Sequence, residues 1–274
     1  MLEVADMRGL WHRSLLVRSD ATRDTTTWVA WLQGLTLYAD LRVPAGRPSF
    51  RGVRSRRDLT QLQAAWLASQ QGFAGRLDRE GQFFVWRRWL DFQPVPGVAD
   101  AGRLWEERGV VVEEGRDDPY IEHWHRQPVA GAPIVGARLR DQHSGGEAVI
   151  VRVGQSFMYA RAGCSALLPT GTLLTDHVAM ATSLRDAQDL VDCEISFGSI
   201  AAGGTWMIER SSLPYREGAC LAPALGSATC SIQTDDVTEE GHAMRRSWDV
   251  IEFEGDATAL PNSGTVVQPQ WSDA

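Results

Sequence analysis

The chain has 274 residues, 43% of them hydrophobic and 23% charged, with a formal net charge of -8. This is the profile of a soluble globular protein with a sizeable core, and it argues against non-specific binding to nucleic acid or an anionic membrane. All 27 basic residues are arginine, which excludes a lysine Schiff base, a phosphate-loop lysine and covalently attached pyridoxal phosphate.

At the amino terminus, MLEVADMRGLWHR carries acids where a signal peptide needs an uninterrupted apolar run. No stretch approaches the roughly 20 apolar residues of a membrane span. A cytoplasmic location with no membrane partner is expected. Leu10 to Ser19 reads as a first strand, ended by the turn residues Asp20-Ala21-Thr22. The stretch from Thr27 to Phe50, TWVAWLQGLTLYADLRVPAGRPSF, then reads as a hairpin with Gln33-Gly34 at its turn. That register sets Leu32 against Leu35, Ala30 against Leu37 and Trp28 against Ala39 on an apolar face. The other face carries Val29, Trp31, Thr36, Tyr38, Asp40 and Arg42. Proline and glycine at 44–48 stop the sheet, and the arginine-rich residues 50–57 form a solvated loop or an anion-attracting rim.

An amphipathic helix is predicted over about residues 58–70, capped by Asp58, with Leu59, Leu62, Ala65 and Trp66 as its apolar stripe. A long hairpin follows, Gly72 to Leu77 and Gln82 to Gln93. On its second strand Val85, Arg87, Trp89 and Asp91 point one way, and Phe84, Trp86, Arg88, Leu90 and Phe92 the other. Short strands are predicted at 103–107, 110–114 and Tyr120 to Arg126, then at 134–140, 148–153, 157–161, 193–197, 205–210 and 245–254. Leu184 to Val191 reads as a short helix. The tail, 257–274, is rich in Pro, Ser, Thr and Gln and reads as loose. The four cysteines, Cys164, Cys193, Cys220 and Cys230, lack Cys-x-x-Cys spacing and read as reduced and structural.

Strands every eight to twelve residues, joined mostly by hairpin-sized turns, predict an all-β fold, an antiparallel lipocalin-like barrel with one helix at its mouth or flank. One barrel domain over 1–256 is the expectation, with two halves, 1–127 and 134–256, as the alternative. The segments YADLRVP, GFAGRLD and VVVEEGRDDPYIEHWHR resemble a group of intracellular lipocalin-like, calycin-type barrel proteins, akin to the yeast Hri1-type family. The resemblance covers mainly Leu10 to Gln127. It implies a calycin-type barrel around a polar small-molecule cavity and no particular reaction.

Tyr120, Glu122, Trp124 and Arg126 share one strand face and repeat the residue types of Trp31, Tyr38, Asp40 and Arg42. Arg42 or Arg126 has the bidentate geometry to grip a carboxylate. Trp31, Trp89, Tyr120 and Trp124 offer rings to a planar ligand. Asp40, Glu122 and Tyr38 are the candidate acid–base groups if burial raises one carboxyl pKa. The expected function is therefore binding of a small anionic or aromatic molecule, or a cofactor-independent lyase or isomerase reaction. The competing reading is that these charges only satisfy each other in a polar interior. His123 and His125 share the opposite face at a metal-ligand spacing, so a metal-dependent enzyme with a third ligand from His12, His143 or His177 is an alternative. A non-catalytic interaction module and a homodimer also remain open. No Gly-x-Ser-x-Gly elbow, His-Glu-x-x-His or Gly-x-Gly-x-x-Gly is present. Thr170 to His177 and Cys164-Ser165 are weak catalytic patterns.

Overall fold

Alternating strand-length runs separated by glycine turns build two antiparallel sheets, one after the other along the chain. The structure, a computed structural model, describes residues 2–95, 97–128, 131–163, 167–226 and 230–261. Cys164-Ser165 and the end of the predicted loose tail lie outside them. The first sheet contains β1 (Gly9–Arg18), β2 (Arg23–Asp24), β3 (Trp28–Gln33), β4 (Leu37–Val43), β5 (Gln71–Glu80), β6 (Phe83–Asp91), β7 (Ala101–Glu107), β8 (Val110–Gly115) and β9 (Tyr120–Arg126). Apart from the short β2 flap, neighbours in the sheet follow chain order, and β1 pairs with β9 to close an eight-stranded barrel. Closure leaves no unpaired edge.

The second sheet contains β10 (Ile134–Asp141), β11 (Glu147–Val153), β12 (Ser156–Arg161), β13 (Glu194–Ile200), β14 (Trp206–Ser211), β15 (Ala224–Leu225), β16 (Ser231–Val237) and β17 (Ala243–Gly255). Its order, β14-β13-β12-β11-β10-β17-β16-β15, makes a half-barrel. The segment 218–221 spans the gap between its two ends. Ile208 N donates to Ala219 O at 2.9 Å and Leu221 N to Trp206 O at 3.0 Å on one side, and Asp235 N donates to Leu221 O at 2.8 Å on the other. The strands thus do not close as one barrel over 1–256.

Each sheet encloses its own core. The first barrel buries Trp11, Trp31, Trp86, Trp124, Phe84 and Leu104, with Met7 of the 3-10 turn Val4–Met7 packed among them at one end. The second encloses Ile150, Phe157, Trp206, Trp248 and neighbours. A third core lies between the sheets, where Ala30, Leu32, Leu37, Ala39 and Leu41 meet Val149, Val151, Met158, Ala160 and Ile195. The apolar face of the β3–β4 hairpin therefore packs against the second sheet. This contact is the seam of the molecule.

Three short α-helices, α1 (Gln61–Leu67), α2 (Leu174–Ala179) and α3 (Leu184–Leu190), cover that seam among the described residues. The predicted helix over 58–70 is shorter, and its cap is Thr60 in a capping box with Gln63, not Asp58. Its buried side is Ala64 and Leu67, while Leu62 is 74% exposed. The stripe differs because the surface that receives the helix is made by both sheets. The tail also begins later than residue 257: Ala259 and Leu260 are buried in the second core.

The β3–β4 hairpin keeps its predicted faces in a different register. Trp31 pairs with Asp40 and Leu32 with Ala39, a slip of four residues, which the two-residue side-chain period leaves invisible to the faces. The turn lengthens because Glu254 of β17 takes its amides. The Leu35 and Leu37 N–H groups donate to Oε1 at 2.9 and 3.1 Å, and the Thr36 N–H donates to Oε2 at 2.8 Å.

Both sheets carry a bulge at the same place. β5 shifts register between Ala74 and Gly75, opposite Tyr38, and β13 shifts between Phe197 and Gly198, opposite Phe157. A Cβ at Gly75 would collide with the carbonyl oxygen of Arg87, and one at Gly198 with that of Met207. Gly75→Ala should therefore destabilise the protein by at least about 1–3 kcal/mol, the usual cost of overpacking. Gly203→Ala, with nothing near its Cβ, should stay within roughly 0.5 kcal/mol. Urea unfolding compares them; equal stabilities would contradict the bulge assignment.

Candidate functional site

Alternation along β4 and β9 sends Tyr38, Asp40 and Arg42 and then Tyr120, Glu122 and Trp124 into the first barrel, whose other end is plugged by the amino-terminal turn. Arg42 donates from Nε to Asp40 Oδ1 at 2.8 Å and from Nη1 to Glu122 Oε1 at 3.2 Å. The same Glu122 oxygen accepts from Arg13 Nη1 at 2.5 Å, and Arg13 Nη2 reaches Asp24 at 2.9 Å. Asp40 and Glu122 are each 2% exposed, and the guanidinium partners offset the cost of burying these groups.

Beside this chain lies a second one. Arg88 of β6 donates to Asp91 at 2.8 Å and, through Nη2, to Asp100 at 2.5 Å. The ring of Phe73 sits between the two systems, with the Arg88 guanidinium 3.5 Å and that of Arg42 5.0 Å from its centre. Glu113 of β8 stands directly across from Glu122 in the ladder. It accepts from Tyr120 Oη at 2.6 Å and Trp124 Nε1 at 2.9 Å, both neutral donors. The group thus gathers Asp24, Asp40, Asp91, Asp100, Glu113 and Glu122 around Arg13, Arg42 and Arg88. Burial, then the charges of Glu122 and Asp100, pushes the Glu113 carboxyl well above the ordinary range. Burial also raises Asp40 and Asp91 against the opposing pull of Arg42 and Arg88. Tyr38, fully buried, is pushed up by burial as well, and its hydroxyl has no hydrogen-bond partner.

The interior itself is filled. Trp31 contacts Trp11, Trp86 and Trp124 through stacked and edge-on geometries, with centroids 5.4–6.0 Å apart, and has no solvent-facing surface to offer a ligand. At the polar end the side chains of Arg42, Arg88 and Asp100 remain 16%, 22% and 14% exposed and Tyr120 is half-buried.

Two of the predicted ligand residues are elsewhere. Trp89 alternates away from the inward-facing Trp86 and Arg88 and is the extra residue of the bulge opposite Gly75; it packs at the seam beneath the Arg138 guanidinium, 4.2 Å away. Arg126 lies at the plugged end, donating to the Arg8 carbonyl at 2.6 Å and to that of Asp6. His123 and His125 point away from the barrel, and His125 Nε2 is 2.8 Å from Ser14 Oγ. His12 Nδ1 is held by the Val29 carbonyl. Among the described residues no three His, Cys, Asp or Glu side chains are placed to hold a metal ion. In the Thr170 to His177 loop, His177 pairs with Thr172 at 2.9 Å. In the arginine-rich loop Arg51 and Arg54 are exposed, as in a solvated loop, while Arg56 and Arg57 pair with Asp189 and Glu239.

Sequence reasoning missed Arg13, Phe73, Arg88, Asp91, Asp100 and Glu113 as members of the group. Arg88 was on the correct face, with Phe84 and Trp86. Glu113 follows three valines, a run with no alternation to show which way it points.

A solved structure with a similar fold is that of an uncharacterised protein from Saccharomyces cerevisiae. The TM-score is 0.50 at 12% identity, and the match covers 90% of this chain and 98% of that chain. Identity this low shows a shared fold and nothing finer. No family model and no curated protein sequence matches the chain. No helix among the described residues is long and apolar enough to cross a membrane.

A group whose folded pKa is raised adds stability below its unfolded value and loses it as pH rises through the folded one. Removing the Glu113 ionisation with Glu113→Gln should therefore favour the variant increasingly from about pH 4.5 to pH 8, by about 1.4 kcal/mol per unit of raised pKa. Urea titrations across that range measure the difference; a constant offset would show that Glu113 ionises normally.

Proposed function

We propose that this lipocalin-like protein is a cytoplasmic binder of a small molecule at the polar end of the first barrel, and that its ligand carries a cationic or hydrogen-bond-donating group. The observation that carries the reading is that, among the described residues, six carboxyl groups surround three guanidinium groups, an excess of acid that holds even with Glu113 uncharged. Glu113 in particular has neutral donors only. Arg42 taken alone favours an anionic ligand, but its charge is already engaged by Asp40 and Glu122. An aromatic ligand stacked deep in the barrel would have to displace Trp31 or Trp124, each 1% exposed.

A second reading, cofactor-independent proton transfer of the lyase or isomerase kind, draws on the same pair. Glu113, whose carboxyl burial pushes up, stands across from Glu122, which pairs with Arg13 and Arg42. Two carboxyl groups in environments this different are the usual arrangement of an acid and a base.

Binding of a cation beside Glu113 would ionise it, so complex formation should release a proton. Thermal-shift screening of small amines and guanidines identifies ligands, and calorimetry in buffers of different ionisation enthalpy counts protons. Proton release near neutral pH is expected, and Glu113→Gln should abolish it and weaken binding by about 2–5 kcal/mol, the order for truncating one partner of a buried charge pair. A ligand bound equally well by the variant, without proton release, would defeat the proposal.

A further inference from the structure

Among the described residues eight large apolar side chains stand exposed, and they are not scattered. All but Ile251 of β17 lie on or at the ends of the three helices, or in residues 95–98 and 167–173. These pieces of chain are hydrogen-bonded to one another. Gly171 N, just ahead of α2, donates to Val95 O at 2.9 Å, and Gln61 Nε2 of α1 donates to Val178 O of α2 at 3.4 Å. From Met180 the chain runs directly into α3, which Leu184 opens. Leu62, Val95, Leu173, Met180 and Leu184, each 44–74% exposed, therefore border one surface.

Helix α2 is apolar on two sides where the seam needs only one. Leu174 and Val178, one turn apart, are buried in the seam. Leu173 and Met180 stand at the two ends of the helix, two turns apart, and share its outer side with Asp176 and Ala179. A helix whose outer side faces only water is expected to be polar there.

By their fractional exposure the five side chains leave about 500 Å2 of apolar surface, roughly three-fifths of the ~800 Å2 that each partner buries in a standard interface. Homodimer interfaces are themselves roughly 65% apolar with a polar rim. Here that rim has the exposed, uncharged side chains of Gln61, Thr182 and Ser183. The outer side of α2 is also self-complementary. A second α2 laid antiparallel across it sets Leu173 against Met180 and Asp176 against His177, twice over, about a twofold axis. Apolar then meets apolar and acid meets imidazole, whereas a parallel alignment sets Asp176 against Asp176.

We propose that this face joins two copies of the chain in a twofold homodimer, with α2 of one copy antiparallel to α2 of the other. Val95, beside the start of α2, then faces Leu62, beside the end of α2 in the other copy. The net charge of -8 counts against an anionic membrane as the occupant.

Sedimentation velocity of the full chain over a range of concentrations tests this, under reducing conditions so that the exposed Cys230 cannot link chains. A concentration-dependent shift from the mass of one chain to that of two is expected. Met180→Asp and Leu173→Arg should each weaken the dimer at least about tenfold, because each buries an unpaired charge at the interface. Circular dichroism should stay unchanged in both, since both side chains are exposed in the single chain. An equimolar mixture of the two variants should recover association, because the twofold arrangement sets the new acid against the new base. Ile251→Asp, away from this face, should leave the dimer intact. A chain that stays monomeric at every concentration, including one that floats with neutral lipid vesicles instead, would overturn the proposal. So would a dimer that survives Met180→Asp, or variants that fail to recover on mixing.

Discussion

The polar end of the first barrel depends on one guanidinium, that of Arg42, held between Asp40 and Glu122. A buried carboxylate without a cation costs several kcal/mol, and so does a buried guanidinium without a carboxylate. Glu122 of β9 takes both Arg13 of β1 and Arg42 of β4, so the contact ties β4 across the barrel to the closing β1–β9 pair. Without Arg42, Asp40 has no other cation within ion-pair distance among the described residues.

Around that contact the barrel is graded. The plugged end is apolar and aromatic, from Met7 and Trp11 to Trp31 and Trp86. The open end is charged, and its acids outnumber its bases. The gradient explains why the interior is both packed and chemically specific: rings fill the volume, and ion pairs are confined to the last layer, where solvent screens part of the excess charge. Phe73, with a guanidinium on each side, marks the boundary between the two regimes. The second half repeats the strand order and the bulge but not the closure.

How much of this could be read from the chain follows from the range of each signal. That Tyr38, Asp40 and Arg42 share one face was legible because alternation is local, and a slip of an even number of residues preserves it; which way that face points was not. The register itself was not legible, since Glu254, more than 200 positions away, holds the turn. Asp91 was not legible as an inward residue because one extra residue, Trp89, opposite Gly75 reverses the alternation after it, taking Asp91 inward and Leu90 and Phe92 to the seam; Trp89 itself lies outward by the alternation that turns Trp86 and Arg88 inward. The stripe of α1 failed for a related reason: Ala64 and Leu67 face a surface assembled from both sheets, which no helical periodicity within 58–70 contains. Glu113 carried no local mark of burial, and its role comes from the residue across the ladder.

The most direct test of the central contact is a double-mutant cycle on folding stability with Arg42→Met, Glu122→Gln and the two combined, read by urea unfolding. If the guanidinium and the carboxylate are paired in the buried layer, the double variant will lose less than the sum of the single losses, by a coupling of roughly 1.5 kcal/mol or more. Losses that add to within about 0.5 kcal/mol would mean that the two side chains do not interact, and the polar end of the barrel would have to be redrawn without that contact.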